Sequence, residues 1–124
     1  MRIVKDGSEW SIVFYHDDER SSPIREFLES LDQEAQQSIG WAIEQLRVRN
    51  VQAREPLVRH LEGKIWELRR EVRRNTYRLL CFFFRGRKIV IVHGFQKKTA
   101  QMPRRELALA QERYAVFVRE QGGE

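Results

Sequence analysis

Hydrophobic residues follow two different periods along the chain, and the changes between them predict the order of the elements. Residues 10–15 (WSIVFY) are dense in aromatic and β-branched side chains, which predicts a first strand. Ser22 stands directly before Pro23, a pair typical of a helix start. Apolar residues then recur at helical spacing, at Ile24, Phe27, Leu28 and Leu31. The chain is therefore expected to begin with a strand and a short helix.

A second, longer helix is predicted to follow, with Asp32 as its cap. One face of this helix is apolar and the other is polar. The apolar face consists of Ala35, Ile39, Ala42, Ile43 and Leu46. Residues 50–63 are interrupted by Pro56 and end at Gly63, so this segment is predicted to be a connection.

Three strands are predicted in close succession, at Ile65–Arg70, Thr76–Phe84 and Lys88–Phe95. Only residues 85–87 separate the last two, which predicts an antiparallel hairpin. The sequence QKKTAQM then forms a basic loop, and Pro103 begins a C-terminal helix. The inner face of that helix is expected to carry Leu107, Ala110, Tyr114, Phe117 and Val118.

The resulting order, β-α-α-β-β-β-α, is an α+β pattern. It predicts a small, mostly antiparallel sheet packed against two N-terminal helices, with a C-terminal helix. The chain has 124 residues, of which 41% are hydrophobic, enough for one modest core. No Gly/Ser-rich linker or repeat interrupts it, so residues 1–124 are expected to form a single domain.

Charge adds a strong asymmetry to this picture. The segment Lys64–Arg105 carries thirteen Lys and Arg residues against two Glu residues, a net charge of +11. Residues 1–63 sum to −4 and residues 106–124 to −2. With a pI of about 9.8, this pattern points to nucleic acid first and to an anionic membrane surface second. The alternative for single residues at a hairpin, such as Arg85, Arg87 and Lys88, is that they only prevent aggregation.

Several classes of function are disfavoured. The longest apolar run, Leu79–Phe84, has six residues and is far too short to span a membrane. The N-terminus lacks the apolar core of a signal peptide, so a cytoplasmic protein is expected. The single cysteine, Cys81, excludes an internal disulfide and a cysteine-based metal cluster and is expected in the core. His16 and His60 have no partner at metal-ligand spacing, and neither a metal nor another cofactor is expected.

Within the basic segment, Arg78 alternates in phase with Leu80 and Phe82, which predicts a partly buried cation. Its function is then either to bind an anion or to pair with Glu67 or Glu71. Glu67 and Arg69 also share one face of their strand, and this arrangement suits a salt bridge and a polar site equally.

Two further features of the segment have competing explanations. His93 alternates in phase with Ile89 and Ile91, which favours a packed histidine over a catalytic one. Arg104 and Arg105 lie in the first helical turn, where the helix dipole disfavours cations. Either they hold an anion together with Lys97 and Lys98, or they are exposed and screened by solvent.

The segment also carries a recognisable series of short motifs. Residues 65–83 (IWELRREVRRNTYRLLCFF) and 89–113 (IVIVHGFQKKTAQMPRRELALAQER) resemble the phage-derived Gp49-like proteins. Those proteins belong with the HigB-type toxins in the RelE/ParE superfamily of type II toxin–antitoxin systems. Met102 departs from the resemblance, because the family often has Thr or Ser before the helix proline. The shared motifs are W-E-L-R at 66–69, Y-R at 77–78, H-G-F-x-K-K-T at 93–99, P-x-x-E at 103–106 and A-x-x-R at 110–113.

The resemblance implies a RelE-like fold and a toxin that cuts mRNA in the A site of the 70S ribosome. A cognate helix-turn-helix antitoxin would inhibit it, and the free toxin would be a monomer. Cleavage by such toxins uses the RNA 2′-hydroxyl and needs cations rather than a metal. The catalytic residues implied are Arg69, Arg78, Lys97 and Lys98, with His93 in reserve for acid–base catalysis. The residues implied to bind RNA or ribosome are Lys64, Arg70, Arg73, Arg74, Arg85, Arg87, Lys88, Arg104 and Arg105.

Two other functions fit the same sequence features. One is a ParE-like toxin that inhibits DNA gyrase without chemistry of its own. The other is a degenerate toxin retained as a nucleic-acid-binding regulator. The dense basic segment favours RNA over gyrase as the target, and the regulator remains open.

Overall fold

A five-stranded mixed sheet forms the centre of the computed structural model, which describes residues 9–18, 20–98 and 101–123. Three α-helices pack on this sheet. The strands run in the spatial order β1-β5-β4-β3-β2. The elements are β1 (Ser11–Phe14), α1 (Pro23–Glu29), α2 (Gln33–Arg49), β2 (Val58–Glu62), β3 (Ile65–Val72), β4 (Asn75–Phe84), β5 (Lys88–Lys97) and α3 (Arg104–Glu120), with a short 3₁₀ helix at Asn50–Gln52.

Strand pairing confirms the α+β class and the mostly antiparallel sheet. β1 runs parallel to β5, whereas the β2–β3, β3–β4 and β4–β5 pairs are all antiparallel. The hairpin between β4 and β5 is present as expected. Among the described residues, no helix is both long enough and apolar enough to cross a membrane.

The sequence prediction was wrong about residues 50–63, which contain a strand rather than only a connection. β2 pairs with the first half of β3, with Val58 opposite Leu68 and His60 opposite Trp66. It is an edge strand with mostly exposed side chains, so its sequence has no strong apolar alternation. Backbone pairing with a distant segment stabilises it, and local sequence does not report such pairing.

β5 is also longer than predicted, and this moves a candidate residue. The ladder continues past Phe95, with Gln96 opposite Tyr77 and Lys97 opposite Thr76. Lys97 therefore lies in a strand and not in the predicted basic loop. Thr99, from the same motif, lies outside the described residues.

The helix starts largely follow the sequence prediction. Ser22 Oγ accepts a hydrogen bond from the backbone N–H of Arg25, at 3.3 Å, and caps α1. Asp32 Oδ1 accepts from the backbone N–H of Ala35, at 2.9 Å, and caps α2. In α3 the cap position is Pro103 itself, with no side-chain hydrogen bond, and the helix begins one residue later than predicted.

The helices cover opposite faces of the sheet, as the alternation along β4 requires. Leu79 faces α1, where a Cβ on Gly94 would lie only 2.7 Å from Phe27 Cδ2. Phe82 faces α3 and packs edge-to-face on Tyr114 and Phe117. The predicted inner face of α3 is confirmed, since its residues pack against the core.

Candidate functional site

A cleft of about 790 Å³ opens on the sheet where β4 begins and β5 ends, beside the segment that leads into β2. Its lining is strongly cationic. Four positive charges remain after the two carboxylates in the lining are counted. The charged lining residues are Arg59, Arg69, Arg74, Arg78, Lys97 and Lys98, together with Glu55 and Glu67.

Strand register brings the central cations together. Arg69 on β3 lies directly opposite Arg78 on β4, and Arg78 lies opposite Phe95 on β5. Lys97 lies two residues beyond Phe95, so it shares the face that carries Arg78. Like charges at such short cross-strand distances are destabilising. The sheet therefore concentrates positive charge at this place, and the repulsion between the cations lowers the free energy of unfolding.

Glu67, in the cleft lining, offsets part of this electrostatic cost. Arg78 Nη1 donates a hydrogen bond to Glu67 Oε2, and both side chains are more than nine-tenths buried. Arg59 Nη2 lies 3.4 Å from the other carboxylate oxygen. Within the described part of the chain, the buried Nε of Arg78 has no hydrogen-bond partner. Arg78 is thus fixed in orientation by Glu67 while retaining an unused donor.

Lys97 is the second buried cation of the cleft, with 7% of its surface exposed. Burial lowers the pKa of its ammonium group, and the nearby charge of Arg78 lowers this pKa further. Glu67 acts in the opposite direction, but its effect is smaller. An ammonium group of lowered pKa gives up a proton more readily than an exposed lysine does.

The outer cations of the cleft are exposed and adjustable. Arg69 Nη2 lies 3.4 Å from Glu71 Oε2, in a pair that is about half exposed on both sides. Arg74 and Lys98 are also exposed. Exposed ion pairs contribute little to stability, so these side chains can turn toward a bound anion at small cost.

The structure places His93 away from this lining. His93 Nε2 lies 2.6 Å from Glu106 Oε1 on α3, and the ring stacks on Phe95 with 5.3 Å between centroids. Burial lowers the pKa of the imidazole, while the hydrogen bond to Glu106 acts to raise it. His93 is thus packed between Glu106 and Phe95, and it does not line the cleft with the four cations with which it was grouped.

Most of the residues expected to bind RNA are also elsewhere. Arg74 is the one of that set that lines the cleft. Arg85, Arg87 and Lys88 lie at the far end of the sheet. Arg85 directly follows β4 and lies nine positions after Thr76, which corresponds to roughly 30 Å along the strand. The segment 64–105 therefore does not form one basic surface.

Several of these cations have partners within the protein. Arg70 Nε donates to Ser38 Oγ at 2.9 Å, and Arg73 pairs with Glu34 at 2.8 Å. Arg85 donates to the backbone carbonyls of Gln121 and Gly123, and Arg87 pairs with Glu9. Arg104 and Arg105 are exposed in the first turn of α3, and neither lines the cleft. Lys64 is also exposed outside the cleft lining.

Sequence reasoning did not list Glu67, Arg59 or Glu55 among the site residues. The sequence could have indicated Glu67, because this carboxylate lies between the apolar residues Trp66 and Leu68 and shares a strand face with Arg69. Arg59 carried no such signal, since β2 was interpreted as a connection. Its contribution depends on strand pairing between β2 and β3, where Arg59 lies opposite Glu67.

Five of the motif residues, Glu67, Arg69, Arg78, Lys97 and Lys98, line the cleft. Three others lie on α3. Glu106 holds His93, Ala110 is fully buried, and Arg113 donates to the carbonyl of Val92 at 2.8 Å. Val92 is the extra residue of a β-bulge, so Arg113 satisfies a backbone group at an irregular position.

Among the described residues, no three His, Cys, Asp or Glu side chains form a group that could hold a metal ion.

A family model described as phage-derived protein Gp49-like (DUF891) matches residues 26–115, well over half of the chain. The match runs from the middle of α1 through most of α3 and includes every residue of the cleft. No curated protein matches the chain.

Proposed function

Because this chain belongs to the phage-derived Gp49-like family, a family of RelE/HigB-like toxins, we propose that it is the toxin of a type II toxin–antitoxin pair. In this proposal it is an endoribonuclease that cuts mRNA on the translating ribosome. A helix-turn-helix antitoxin, encoded next to it, keeps it inactive, and the free toxin is a monomer in the cytoplasm.

The observation that carries the proposal is the pair of buried cations, Arg78 and Lys97, in a cleft of net positive charge. Burying two like charges in one cleft is costly, Glu67 offsets only part of that cost, and a bound polyanion would offset more of it. The cleft volume lies in the range usual for small-molecule sites and can accept a nucleotide with its phosphate. Arg78 is held rigidly by Glu67, which suits it to a planar contact with phosphate oxygens.

Cleavage in this cleft follows from the chemistry of RNA itself. The 2′-oxygen attacks the adjacent phosphorus, the bond from phosphorus to the 5′-oxygen breaks, and a 2′,3′-cyclic phosphate and a 5′-hydroxyl form. Arg78 and Arg69 stabilise the negative charge that develops on the phosphorane oxygens. Lys97, whose ammonium has a lowered pKa, supplies the proton to the departing 5′-oxygen. The proton of the 2′-hydroxyl passes to solvent.

Ribosome binding supplies the alignment that such a cleft lacks. In-line attack needs the 2′-oxygen, the phosphorus and the 5′-oxygen in one line, a geometry that free RNA adopts only transiently. Holding the reacting groups in place lowers the activation free energy by several kcal/mol, and by roughly 7–11 kcal/mol in the best cases. The exposed cations Lys98 and Arg74 lie at the cleft surface and can contact flanking phosphates.

The test is induced expression in a bacterial host, with primer extension on a translated reporter mRNA. Lys97→Met removes the proton donor, and Lys88→Met removes a lysine from the far end of the same strand. We expect growth arrest and codon-spaced cuts with the wild type and with Lys88→Met. Loss of general acid catalysis should lower cleavage by Lys97→Met about 10²-fold or more.

Other outcomes would select the competing functions. Growth arrest without mRNA cuts would indicate a gyrase inhibitor or another target. No arrest, with folded wild-type protein present in the cell, would indicate a degenerate toxin. Cuts that appear equally with Lys97→Met would leave the nuclease in place but would remove Lys97 from its mechanism.

A further inference from the structure

A second pocket, of about 480 Å³, lies on the α2 side of the sheet edge. Its most distinctive wall is Trp41, a large aromatic side chain that is 52% exposed. Three arginines and one carboxylate complete the charged part of its lining. These are Arg49, Arg69, Arg70 and Glu71.

This pocket adjoins the cationic cleft. Pro56 and Arg69 line both of them. β2 pairs with β3 only from Ile65 to Leu68, so Arg69 follows the last residue that β2 covers. Its side chain therefore stands at a sheet edge that the described part of β2 leaves open. A ligand that fills the cleft therefore lies beside this edge and next to the second pocket.

Trp41 is held in place while much of its surface remains available. The guanidinium carbon of Arg70 lies 4.9 Å from the centroid of the Trp41 ring. Arg70 is fixed in turn by its hydrogen bond to Ser38 on α2. A supported aromatic ring loses little side-chain entropy when a second planar group stacks on it. Such a platform, with cations around it, is the usual means of binding unpaired bases.

We propose that this second pocket binds the nucleobase of a nucleotide that flanks the scissile phosphate in single-stranded RNA, with Trp41 as the stacking surface. Arg69, shared by both pockets, spans the base site and the phosphate site. The proposal rests on the proposed function for the identity of the RNA. Three arginines against one glutamate favour a polyanion over an apolar peptide as the occupant of this pocket.

The test follows the indole N–H signals of the intact protein by NMR. The chain has three tryptophans, and Trp41→Phe assigns the signal of Trp41. Trp10 and Trp66 both pack edge-to-face on Phe83, so their signals serve as internal references. The probes are adenosine monophosphate, ribose 5-phosphate, and a short single-stranded RNA protected by 2′-O-methyl groups, each titrated into the millimolar range.

We expect the Trp41 signal to shift in a saturable manner with the RNA and with adenosine monophosphate but not with ribose 5-phosphate. Trp41→Ala should weaken RNA binding roughly tenfold, within the range measured for single base–aromatic stacks. Val51→Ala, which shortens another exposed side chain outside the pocket, should leave RNA affinity unchanged.

A Trp41 signal that stays in place with saturating RNA would overturn the proposal and would favour a protein as the partner of this ring. Equal shifts with ribose 5-phosphate would also overturn it, because the base would then be unnecessary. These outcomes are separate from the cleavage test. Cleavage without a Trp41 response rejects the base site alone, and a Trp41 response without cleavage in cells rejects the nuclease alone.

Discussion

Arg78 and Glu67 form an ion pair that is almost completely buried below the cleft. Such a pair recovers its desolvation cost only while both partners are present. Lys97 adds a third buried charge that has no carboxylate of its own at hydrogen-bond distance in the described structure. At the scale of single residues, the site is therefore a place where folding tolerates unfavourable charge.

Arg78→Ala should lower the free energy of unfolding by about 3–5 kcal/mol, because Glu67 would remain buried without its main partner. Urea unfolding followed by circular dichroism measures this change. The double variant Arg78→Met/Glu67→Leu should recover most of the loss, since apolar side chains then fill the space. If Arg78→Ala were as stable as the wild type, the buried ion pair between Arg78 and Glu67 would be contradicted.

Lys97 should make stability depend on pH at the alkaline end. Its pKa is lowered in the folded protein, so the unfolded chain binds the proton more tightly. Stability must then rise as the pH climbs from this lowered pKa toward the ordinary value of 10.5. Lys97→Met should be more stable than the wild type at pH 7, and its advantage should shrink near pH 10. Unfolding curves at the two pH values decide this, and an advantage independent of pH would contradict it.

At the scale of elements, β5 serves both the fold and the cleft. His93 and Arg113 connect its middle to α3, Arg113 at the bulge residue Val92 itself and His93 directly after it. Gly94 lets α1 approach the opposite face, and Lys97 at the end of the strand enters the cleft. The contacts of α1 and α3 with the middle of β5 thereby fix the position of Lys97 at the end of the strand.

Gly94→Ala should destabilise the protein by roughly 1–3 kcal/mol, the usual cost of overpacking a filled interior. The added Cβ would lie 2.7 Å from Phe27 Cδ2 and 2.8 Å from Leu79 Cδ2. Gly40→Ala is the matched control, because a Cβ there meets no described atom within 4 Å. In the middle of α2 it should stabilise by about 0.5–1 kcal/mol. Thermal unfolding of both variants tests the pair, and equal effects would contradict the close approach of α1.

At the scale of the whole molecule, the basic segment is divided between two ends of one sheet. Arg69 and Lys98 belong to the cleft, whereas Arg85 and Arg87 lie at the β4–β5 hairpin. The hairpin arginines contact the protein's own terminal residues and Glu9. Net charge along the sequence therefore overstates the charge that any one surface presents to RNA.

Salt dependence of RNA binding should distinguish the two ends. Each phosphate contact to single-stranded nucleic acid contributes about 0.7 to the slope of log affinity against log salt concentration. Lys98→Ala should reduce the magnitude of the slope by about that amount, and Arg87→Ala should leave it unchanged. Fluorescence anisotropy with an uncleavable RNA over a range of salt measures both. A reduced slope for Arg87→Ala would place RNA on the hairpin instead.

Local features of this protein followed from the sequence because short-range interactions decide them. Ser22 and Asp32 cap their helices through bonds to residues three positions ahead, and the hairpin after Phe84 needs only a short turn. The motif resemblance to the Gp49-like family was confirmed by the family match over residues 26–115. The α+β class followed from the order of these local signals.

The tertiary structure decided what depends on distant partners. β2 forms because β3 pairs with it, and Lys97 is a strand residue because Thr76 lies opposite it. Alternation along the strand indicated a partly buried Arg78, but the register of β3 against β4 decided that Glu67 rather than Glu71 is its buried partner. The sequence therefore determined the helices, the β4–β5 hairpin and the family. Strand pairing determined β2 and which cations form a site, because charges act through space rather than along the chain.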